Sequence, residues 1–435
     1  MMLKPVFTLF KLITLFAMLI GISHAHSHKA QALYQDLPHE VLPDLSIEGE
    51  LPIGVATHSI TNENYRNPLT GELAPRNLTV EVWYPVQSKG ENVTFYEDVT
   101  RNKNAFKIQA TAYRDLPIIK SEAGKYPVVV LSHGYTGYRS IMFYMGEHLA
   151  SHGYVVISID HTDSTNKDVD FEKDAGSGFL STLLNRSRDQ QFALDWVKNA
   201  SAYADHVSQS HAGVIGYSMG GYGVVSTIGG CYDFSAQNIT AISGVTDEAV
   251  IAGMQGAINT CSAGRSETDS SWKASVLLAP WGGALPVFSP ESMHKISVPS
   301  LYIAGDLDDI SSYQGIRWMY EQHQSADTFL LTYENARHNI APHPAPKEAL
   351  SNEFDLGHYR DPVWDVETFN IMNKHFSLAM MDCYLKELQA QCEYLAISGT
   401  PNQEVVDGEK QEIWKGFDDR YATGMIFESK KSNDD

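Results

Sequence analysis

Short apolar runs separated by helical patterns recur along most of the chain. Residues 78–84 alternate between apolar and polar, as in a strand with one exposed face. Residues 126–131 and 155–159 are continuous runs rich in β-branched residues, which is typical of parallel strands covered on both faces. Further strand candidates are 213–216, 274–278, 300–303 and 328–332, with helical patterns at 140–152, 187–199, 219–228, 311–325 and 366–388. This alternation predicts an α/β protein with a doubly wound, mostly parallel sheet.

The first 25 residues have the pattern of a signal peptide. Lys4 and Lys11 precede an apolar run at 12–22, and Ser23-His24-Ala25 supplies small residues where a signal peptidase cuts. The run is shorter than the ~20 apolar residues of a membrane-spanning helix, and no later segment is long and apolar enough to span. We therefore predict cleavage after Ala25, a secreted or periplasmic protein and no stable membrane insertion. An uncleaved amphipathic anchor is the alternative.

The rest of the chain divides into an arm, one large domain and a tail. Residues 26–50 are polar and punctuated by proline, which indicates an N-terminal arm. Residues 51–395 carry the α/β pattern, interrupted at 231–272 by a Ser/Thr/Gly/Asp-rich insertion that we interpret as a possible lid or clamped cap. Apolar and aromatic residues between 413 and 427 predict that the tail, 396–435, packs partly on the domain.

Charge and cysteine content limit the partners. The 32 basic and 53 acidic residues give a net charge of −21, which disfavours nucleic acid and anionic lipid headgroups as partners. In an exported chain the four cysteines are expected to form disulfides. Three pairings are possible, and we favour Cys231–Cys261 and Cys383–Cys392. The second pair requires a helix break, since nine residues of helix span ~13 Å, beyond the ~7 Å limit for a disulfide. The cysteines and histidines show no metal-binding spacing, and no cofactor is predicted.

Gly216-Tyr-Ser-Met-Gly220 matches the G-x-S-x-G pattern of a nucleophilic serine. An apolar strand precedes it and a helix rich in small residues follows, as in the sharp strand-to-helix turn that exposes a serine hydroxyl above a sheet. Ser218 is therefore the predicted nucleophile. The alternative, an ordinary serine in a glycine-rich turn, does not explain this context.

An oxyanion formed at Ser218 would need two backbone N–H donors. One is the residue after the nucleophile, Met219. The other is predicted at Tyr135, because Ser132-His133-Gly134-Tyr135 follows the strand 126–131 at the point where a donor loop is expected. We interpret His133 as a buried residue that braces this loop.

The base and its acid are expected to follow the serine in the order Ser, Asp, His. The strand at 328–332 leads into His338, the predicted base, whereas His343 is a competing base in a proline-flanked loop. The strand at 300–303 leads into three candidate acids, Asp306, Asp308 and Asp309. The residues alone leave that choice open.

Two groups of motifs carry family resemblances. His133-Gly134 with Arg139, Leu149-Ala-Ser-His-Gly153 and His161-x-Asp163-x-Thr165 resemble platelet-activating-factor acetylhydrolases and predicted dienelactone hydrolases. The second group resembles bacterial cutinases and polyester hydrolases: Gly134-Tyr-Thr-Gly137, Gly216-x-Ser-Met-Gly-Gly221, Ala279-Pro-Trp281, Ala304-Gly-Asp-Leu-Asp-Asp-Ile310 and Ala336-Arg-His-Asn-Ile-Ala-Pro342. These resemblances imply the α/β-hydrolase fold, an ester substrate, Tyr135 and Met219 as oxyanion donors, and Trp281 as an aromatic wall of the acyl pocket. Trp281 could equally be a packing residue.

The resemblance also bears on the acid. Polyester hydrolases often place it after an apolar residue, as Asp308 follows Leu307, and we expect Leu307 to pack inward and orient its neighbours. Asp306 and Asp309 are then turn-capping or solvated carboxylates. Three departures from these families stand out. Vertebrate-type acetylhydrolases place their acid where this chain has Ala279-Pro280, dienelactone hydrolases use a cysteine nucleophile, and cutinases lack the arm and the 231–272 insertion.

The predicted function is that of an exported serine carboxylic ester hydrolase acting through Ser218, His338 and Asp308. Its substrate would be a short-chain, aryl or lipid-like ester or an aliphatic polyester, and nothing in the sequence bears on the oligomeric state. A serine peptidase is a rival, although we see neither a β-propeller nor a charged residue that captures a peptide terminus. A catalytically dead binding or adhesion module on the same fold is the other rival, although such modules typically lose a triad member.

Overall fold

The structure is a computed structural model that describes residues 30–91, 93–122, 124–261, 268–401, 405–406, 409–410 and 414–432. The predicted signal peptide lies outside these residues. The strands are Ile53–Asn62 (β1), Arg76–Pro85 (β2), Val93–Val99 (β3), Ala105–Arg114 (β4), Tyr126–Ser132 (β5), Val155–Asp160 (β6), Val207–Tyr217 (β7), Trp272–Leu278 (β8), Ser300–Gly305 (β9), Thr328–Tyr333 (β10), Val405–Val406 (β11), Glu409–Lys410 (β12) and Met425–Lys430 (β13).

The helices lie between these strands and after them. They are Phe143–Ser151 (α1), Phe179–Asn199 (α2), Met219–Thr227 (α3), Ala236–Ser243 (α4), Glu248–Ile258 (α5), Pro290–His294 (α6), Tyr313–Gln322 (α7), Glu353–Leu356 (α8), Val366–Tyr384 (α9) and Gln389–Cys392 (α10). Short 3₁₀ helices are His39–Val41, Asp44–Ser46, Lys347–Ala349, Glu393–Leu395 and Asp419–Ala422.

One large sheet organises the described part of the chain, in the strand order β13-β10-β9-β8-β7-β5-β6-β2-β1-β4-β3. The six strands from β10 to β6 in this order run parallel to one another. Antiparallel pairing joins β6 to β2, β2 to β1, and β10 to the edge strand β13. The mostly parallel sheet predicted from the sequence is confirmed.

The central strands are apolar on both faces because helices cover both faces. In β5, Val128 and Val130 pack into the core layer that contains α2 and α3, whereas Val129 and Leu131 pack into the layer that contains α1 and α9. Each of these four side chains is fully buried, and burial of such a side chain contributes roughly 1.5–3 kcal/mol. The carboxyl ends of the parallel strands therefore form a rigid edge on which a site can be built.

The segment after α3 contains two helices, α4 and α5. Asp247 caps α5 by accepting hydrogen bonds from two backbone N–H groups, and Ile251 and Ile258 are buried. A disulfide between Cys231 and Cys261 closes this segment, with 5.1 Å between the two Cα atoms. The clamp agrees with the favoured pairing, while a lid role for the segment stays a prediction.

The second disulfide joins Cys383 to Cys392, with 4.9 Å between the Cα atoms. Helix α9 ends at Tyr384 and α10 begins at Gln389. The helix break that this pairing requires is therefore present.

Removing the two disulfides should have unequal effects on stability. In the chain-entropy model, a loop of 30 residues contributes about 3–4 kcal/mol and one of 9 residues about 2.5 kcal/mol. We expect the Cys231→Ala/Cys261→Ala variant to lose about 1 kcal/mol more unfolding free energy than the Cys383→Ala/Cys392→Ala variant. Chemical denaturation of both variants and the parent measures this difference. A larger loss from the shorter loop would contradict it.

Both ends of the described chain pack against the domain. In the arm, the Tyr34 hydroxyl donates to Asn370 Oδ1 at 2.7 Å, and the Leu45 backbone N–H donates to His375 Nδ1 at 3.2 Å. In the tail, β13 pairs with β10, and Trp414 is buried. Within the described ranges, no helix has both the length and the apolar character needed to cross a membrane.

Candidate active site

Ser218 occupies the turn between β7 and α3. Its backbone has φ 53° and ψ −114°, a conformation that an L-residue adopts only when its surroundings impose it. The neighbouring glycines make the turn possible, since a Cβ at Gly220 would lie 2.0 Å from the Ser132 carbonyl oxygen, and one at Gly216 would lie 2.5 Å from the Gly220 backbone. Residues 216–220 therefore form the sharp strand-to-helix turn that the sequence predicts.

Ser218, His338 and Asp308 form one hydrogen-bonded chain. His338 Nε2 lies 3.0 Å from Ser218 Oγ, and His338 Nδ1 lies 2.8 Å from Asp308 Oδ2. The other Asp308 oxygen accepts hydrogen bonds from the backbone N–H groups of Ile310 and Ser311 at 2.9 and 2.8 Å. Burial alone would raise the pKa of Asp308, but the His338 ring and these N–H groups hold it below the ordinary aspartate value. The carboxylate is thus ionised and fixed where it can orient the imidazole.

The two rival acids point elsewhere. Asp306 Oδ1 accepts a hydrogen bond from the Asn335 backbone N–H at 2.6 Å, and Asp309 Oδ2 lies 2.6 Å from the Arg337 guanidinium. The expectation that Leu307 packs inward is wrong, because its side chain is 51% exposed. The backbone donors of the turn itself hold Asp308, without help from a buried leucine.

The competing base, His343, lies away from the serine. Its Nε2 is 2.6 Å from the Tyr138 hydroxyl, and its Nδ1 is 2.7 Å from the Pro344 carbonyl oxygen. Burial lowers the pKa of His343 to about 4. These contacts make it a buried, neutral packing residue.

The two predicted oxyanion donors flank the serine. Met219 is the first residue of α3, so its N–H has no acceptor within the helix. Tyr135 follows Gly134, at which a Cβ would lie 3.1 Å from the Ser218 Cβ, so the loop after β5 closely approaches Ser218. The peptide bond between Tyr135 and Thr136 is cis. Arg186 donates to the Gly134 carbonyl oxygen at 2.9 Å and holds the loop from behind.

His133 is buried at the base of this loop, as expected. Its Nδ1 lies 2.7 Å from the Gly134 carbonyl oxygen, and its Nε2 accepts a hydrogen bond from the His161 backbone N–H at 3.2 Å. Burial holds the pKa of His133 well below its ordinary value, so the ring is neutral. His133 connects the donor loop to the end of β6.

Sequence reasoning missed a second Ser-His-Asp arrangement beneath the loop. Ser132 Oγ lies 2.8 Å from His161 Nε2, and His161 Nδ1 lies 3.0 Å from Asp189 Oδ2. All three are buried, and Arg76 forms a 2.8 Å ion pair with the other Asp189 oxygen. Burial lowers the pKa of His161 to about 3. With no exposed hydroxyl, this network supports the loop. Ser132 ends β5 and His161 directly follows the neighbouring strand β6. That placement is the sequence signal that could have revealed the network.

The Asp189 network should make stability depend on pH. Burial opposes ionisation of Asp189, yet Arg76 and His161 outweigh it and lower the pKa to about 2 from 3.8. Because the folded pKa is the lower one, the stabilisation is present above about pH 4 and is lost as pH falls through about 2. The contribution is on the order of 2 kcal/mol.

We therefore expect the unfolding free energies of the parent and the Asp189→Asn variant to converge as pH falls. Their difference should shrink by about 2 kcal/mol between pH 6 and pH 2, measured by chemical denaturation at each pH. A difference that stays constant with pH would contradict an ionised, paired Asp189.

A cavity of about 620 Å³ lies over Ser218. Its wall includes Tyr135, Tyr217, Ser218 and His338, and the described part of the 231–272 insertion contributes no wall residue.

Trp281 is also absent from the wall of this cavity. Its ring packs against Phe179 and Tyr222, with ring centres 5.9 and 5.6 Å away, and its backbone N–H donates to the Ser218 carbonyl oxygen at 3.1 Å. A role for Trp281 in the acyl pocket stays a prediction. Among the described residues, no group of three or more His, Cys, Asp or Glu side chains is placed to hold a metal ion.

The sheet order and the turn at the end of β7 place the chain in the α/β-hydrolase fold class. A ferulic acid esterase from Streptomyces cinnamoneus shares the fold with a TM-score of 0.55 over 82% of this chain and 94% of that chain, at 15% identity. Residues 116–242, which contain the donor loop and Ser218, match the family model described as PET hydrolase-like.

Curated relatives with similar sequences are cutinases and a terephthalate ester hydrolase. Cutinase 2 of Thermobifida cellulosilytica is 37% identical over 106 residues, which are 24% of this chain and 35% of that protein. Cutinase est1 of Thermobifida alba is 28% identical over 221 residues, or 50% of this chain and 55% of that protein. Bis(hydroxyethyl) terephthalate hydrolase of Streptomyces coelicolor is 32% identical over 102 residues, or 23% and 28%. The matched segment thus spans about a third of the first of these relatives and about half of the second.

Proposed function

We propose that this protein is an exported carboxylic ester hydrolase that works through an acyl-enzyme on Ser218. The observation that carries the proposal is the chain from Asp308 through His338 to the Ser218 hydroxyl, with heavy-atom distances of 2.8 and 3.0 Å. These are hydrogen-bond distances for a nucleophile, its base and the group that orients the base. The similarity of residues 116–242 to the PET hydrolase-like family supports an ester as the substrate.

The proposed reaction has two steps. Ser218 Oγ attacks the ester carbonyl carbon while His338 Nε2 takes the hydroxyl proton, and the carbonyl electron pair moves onto oxygen. The N–H groups of Tyr135 and Met219 donate to that oxyanion. As the carbonyl re-forms, the ester C–O bond breaks, and the alcohol leaves with the proton from His338. Water then attacks the acyl-enzyme in the same manner and releases the acid.

The proposed substrates are short-chain, aryl or lipid-like esters, with polyesters included because relatives are named cutinase and bis(hydroxyethyl) terephthalate hydrolase. The cavity over the serine, about 620 Å³, falls in the size range of small-molecule sites. Export is proposed from the signal-peptide pattern, with support from the two disulfides, which persist in oxidising compartments. Neither rival function is favoured by a specific contact in the described structure.

A panel of p-nitrophenyl esters from acetate to palmitate, assayed beside a peptide p-nitroanilide, tests this function. We expect saturable hydrolysis of the esters with highest kcat/KM at the short-chain end, and little cleavage of the anilide. Faster cleavage of the anilide would point to a peptidase. A folded protein that cleaves neither compound would fit a binding module and contradict the proposal.

A further inference from the structure

Arg101 is a cation in the wall of the cavity that contains Ser218, and it forms no ion pair with any described residue. It lies in the turn between β3 and β4 and contributes to the cavity wall. Its Nε is shielded from solvent and has no hydrogen-bond partner among the described residues. Within the same residues, no carboxylate lies at ion-pair distance from its guanidinium. The Asp355 carboxylate acts on Arg101 only from beyond ion-pair distance. A partly buried guanidinium in this state has lost water contacts without gaining a direct ion pair, which is a costly arrangement.

The turn that carries Arg101 is held firmly. The Asp355 carboxylate accepts hydrogen bonds from the Thr100 hydroxyl at 2.8 Å and from the Asn102 backbone N–H at 2.9 Å, one on each side of Arg101. The guanidinium carbon lies 5.6 Å from the ring centre of Phe171 and 5.8 Å from that of Phe354. The charge is therefore fixed in position by its neighbours, with two aromatic rings beside it.

The other charges on the cavity wall are either paired or exposed. Arg337 forms an ion pair with Asp309 at 2.6 Å. Arg360 and Glu353 are exposed residues at the rim. Arg101 is thus the wall cation that is both sheltered from water and free of an ion pair among the described residues, in a chain whose net charge is −21.

His358 adds a second unsatisfied group to the same wall. Its Nδ1 is buried without a hydrogen-bond partner in the described part of the chain. Burial and the nearby Arg101 charge hold the pKa of His358 well below its ordinary value, so the ring is neutral. The wall beside Arg101 therefore holds a neutral ring and not a second cation.

We propose that Arg101 binds an anionic oxygen group of the substrate, so that preferred substrates are esters that carry a second, ionised carboxylate or phosphate group away from the scissile bond. This inference rests on the proposed esterase function for its kinetic test. The planar guanidinium offers several N–H donors in a geometry that matches such oxyanions. Arg101 also borders a second depression, shared with Glu353 and Gly357, into which a longer substrate can extend.

Two pairs of esters test the proposal and separate the sources of the anion. Monomethyl adipate is compared with neutral dimethyl adipate, and ethyl 4-phosphonobutanoate with its neutral triethyl form. Loss of a charge-assisted hydrogen bond weakens binding roughly ten- to hundredfold. We expect Arg101→Gln to lower kcat/KM by that factor for one anionic ester, mainly through KM, and by less than about threefold for its neutral partner. The pair that responds identifies a carboxylate or a phosphate group.

Three companion variants sharpen the result. Arg360→Gln, which removes an exposed rim charge, should change the anionic ester by less than about threefold, since exposed charges are screened. Glu353→Gln, which removes an exposed rim charge of the opposite sign, should likewise change kcat/KM for the anionic ester by less than about threefold. Arg101→Lys keeps the charge but not the planar fork and should retain part of the preference, and thermal melting checks that each variant is folded. Equal effects of Arg101→Gln on anionic and neutral esters would overturn the proposal.

A binding measurement keeps this inference separate from the proposed function. Titration calorimetry of the anionic ester into Ser218→Ala and into Ser218→Ala/Arg101→Gln needs no turnover. If the anionic ester binds only when Arg101 is present, and the parent protein hydrolyses no ester, the anion site is supported and the esterase proposal is contradicted. If the parent protein hydrolyses neutral esters, but the anionic ester binds equally well with and without Arg101, the esterase proposal is supported and the anion site is contradicted.

Discussion

Ser218→Ala should lower kcat for a p-nitrophenyl ester by about 10⁴- to 10⁶-fold, the scale on which a serine hydrolase loses activity without its nucleophile. The reason is chemical. Alanine at position 218 leaves His338 Nε2 without the hydroxyl that lies 3.0 Å away. No acyl-enzyme can then form, and the remaining activity comes from the oxyanion donors and from substrate binding.

The control for this change is Ser59→Ala, which removes an exposed hydroxyl on β1. We expect its kcat to equal that of the parent within about twofold, because surface changes away from a site are usually small. Both variants should melt at temperatures close to the parent. A Ser218→Ala protein that retains more than about a tenth of parental kcat would contradict nucleophilic catalysis by this residue.

Asp308→Asn should be the second most damaging single change, with kcat lowered by about 10⁴-fold, by analogy with the serine proteases. The carboxylate lies 2.8 Å from His338 Nδ1 and accepts two backbone N–H groups through its other oxygen. An amide can keep part of this geometry, but it has no charge to stabilise the imidazolium. It can also present its NH₂ group to Nδ1, which favours the wrong tautomer.

Asp306→Asn and Asp309→Asn are matched controls, because they make the same chemical change in the same loop. Each should cost tenfold in kcat at most, since their contacts are to the Asn335 backbone and to Arg337. All three variants are assayed on one good ester under identical mildly alkaline conditions. If Asp306→Asn or Asp309→Asn is the crippled variant, the acid has been assigned wrongly, although the fold would be unaffected.

The parallel centre of the fold could be predicted because its strands are buried on both faces and therefore consist of uninterrupted apolar runs. Within the large sheet, strands β1, β3, β4 and β13 escaped prediction. In β4, the buried positions alternate with exposed ones, but two of the buried residues, Ala110 and Ala112, are small. In such a strand the buried and exposed positions differ little in hydrophobicity, so the sequence does not indicate a strand. The strand is recognised only from its pairing with β1 and β3.

The candidate site was predicted as far as chain order and strand ends could define it. Ser218, Asp308 and His338 each follow a central strand, and parallel strands bring their carboxyl ends to one edge. The expectation that Leu307 packs inward and orients Asp308 is wrong, because Leu307 is exposed and backbone donors within the turn hold the carboxylate. Such local hydrogen bonds leave no signature in residue type.

Arg101 could not be predicted from the sequence. Its position depends on Phe354 and Asp355, which lie more than 250 residues away along the chain. A lone arginine in a hairpin turn ordinarily indicates a solvated surface residue. Only the folded chain shows that this one borders the cavity over Ser218.

Covalent labelling with a fluorophosphonate probe, followed by peptide mapping by mass spectrometry, tests directly whether Ser218 is the nucleophile. We expect one probe per chain, bound to the peptide that contains Ser218, with esterase activity lost in proportion to labelling. We also expect no label on the Ser218→Ala variant. Labelling that survives this substitution, or a fully labelled protein that still hydrolyses esters, would contradict the claim that Ser218 is the nucleophile.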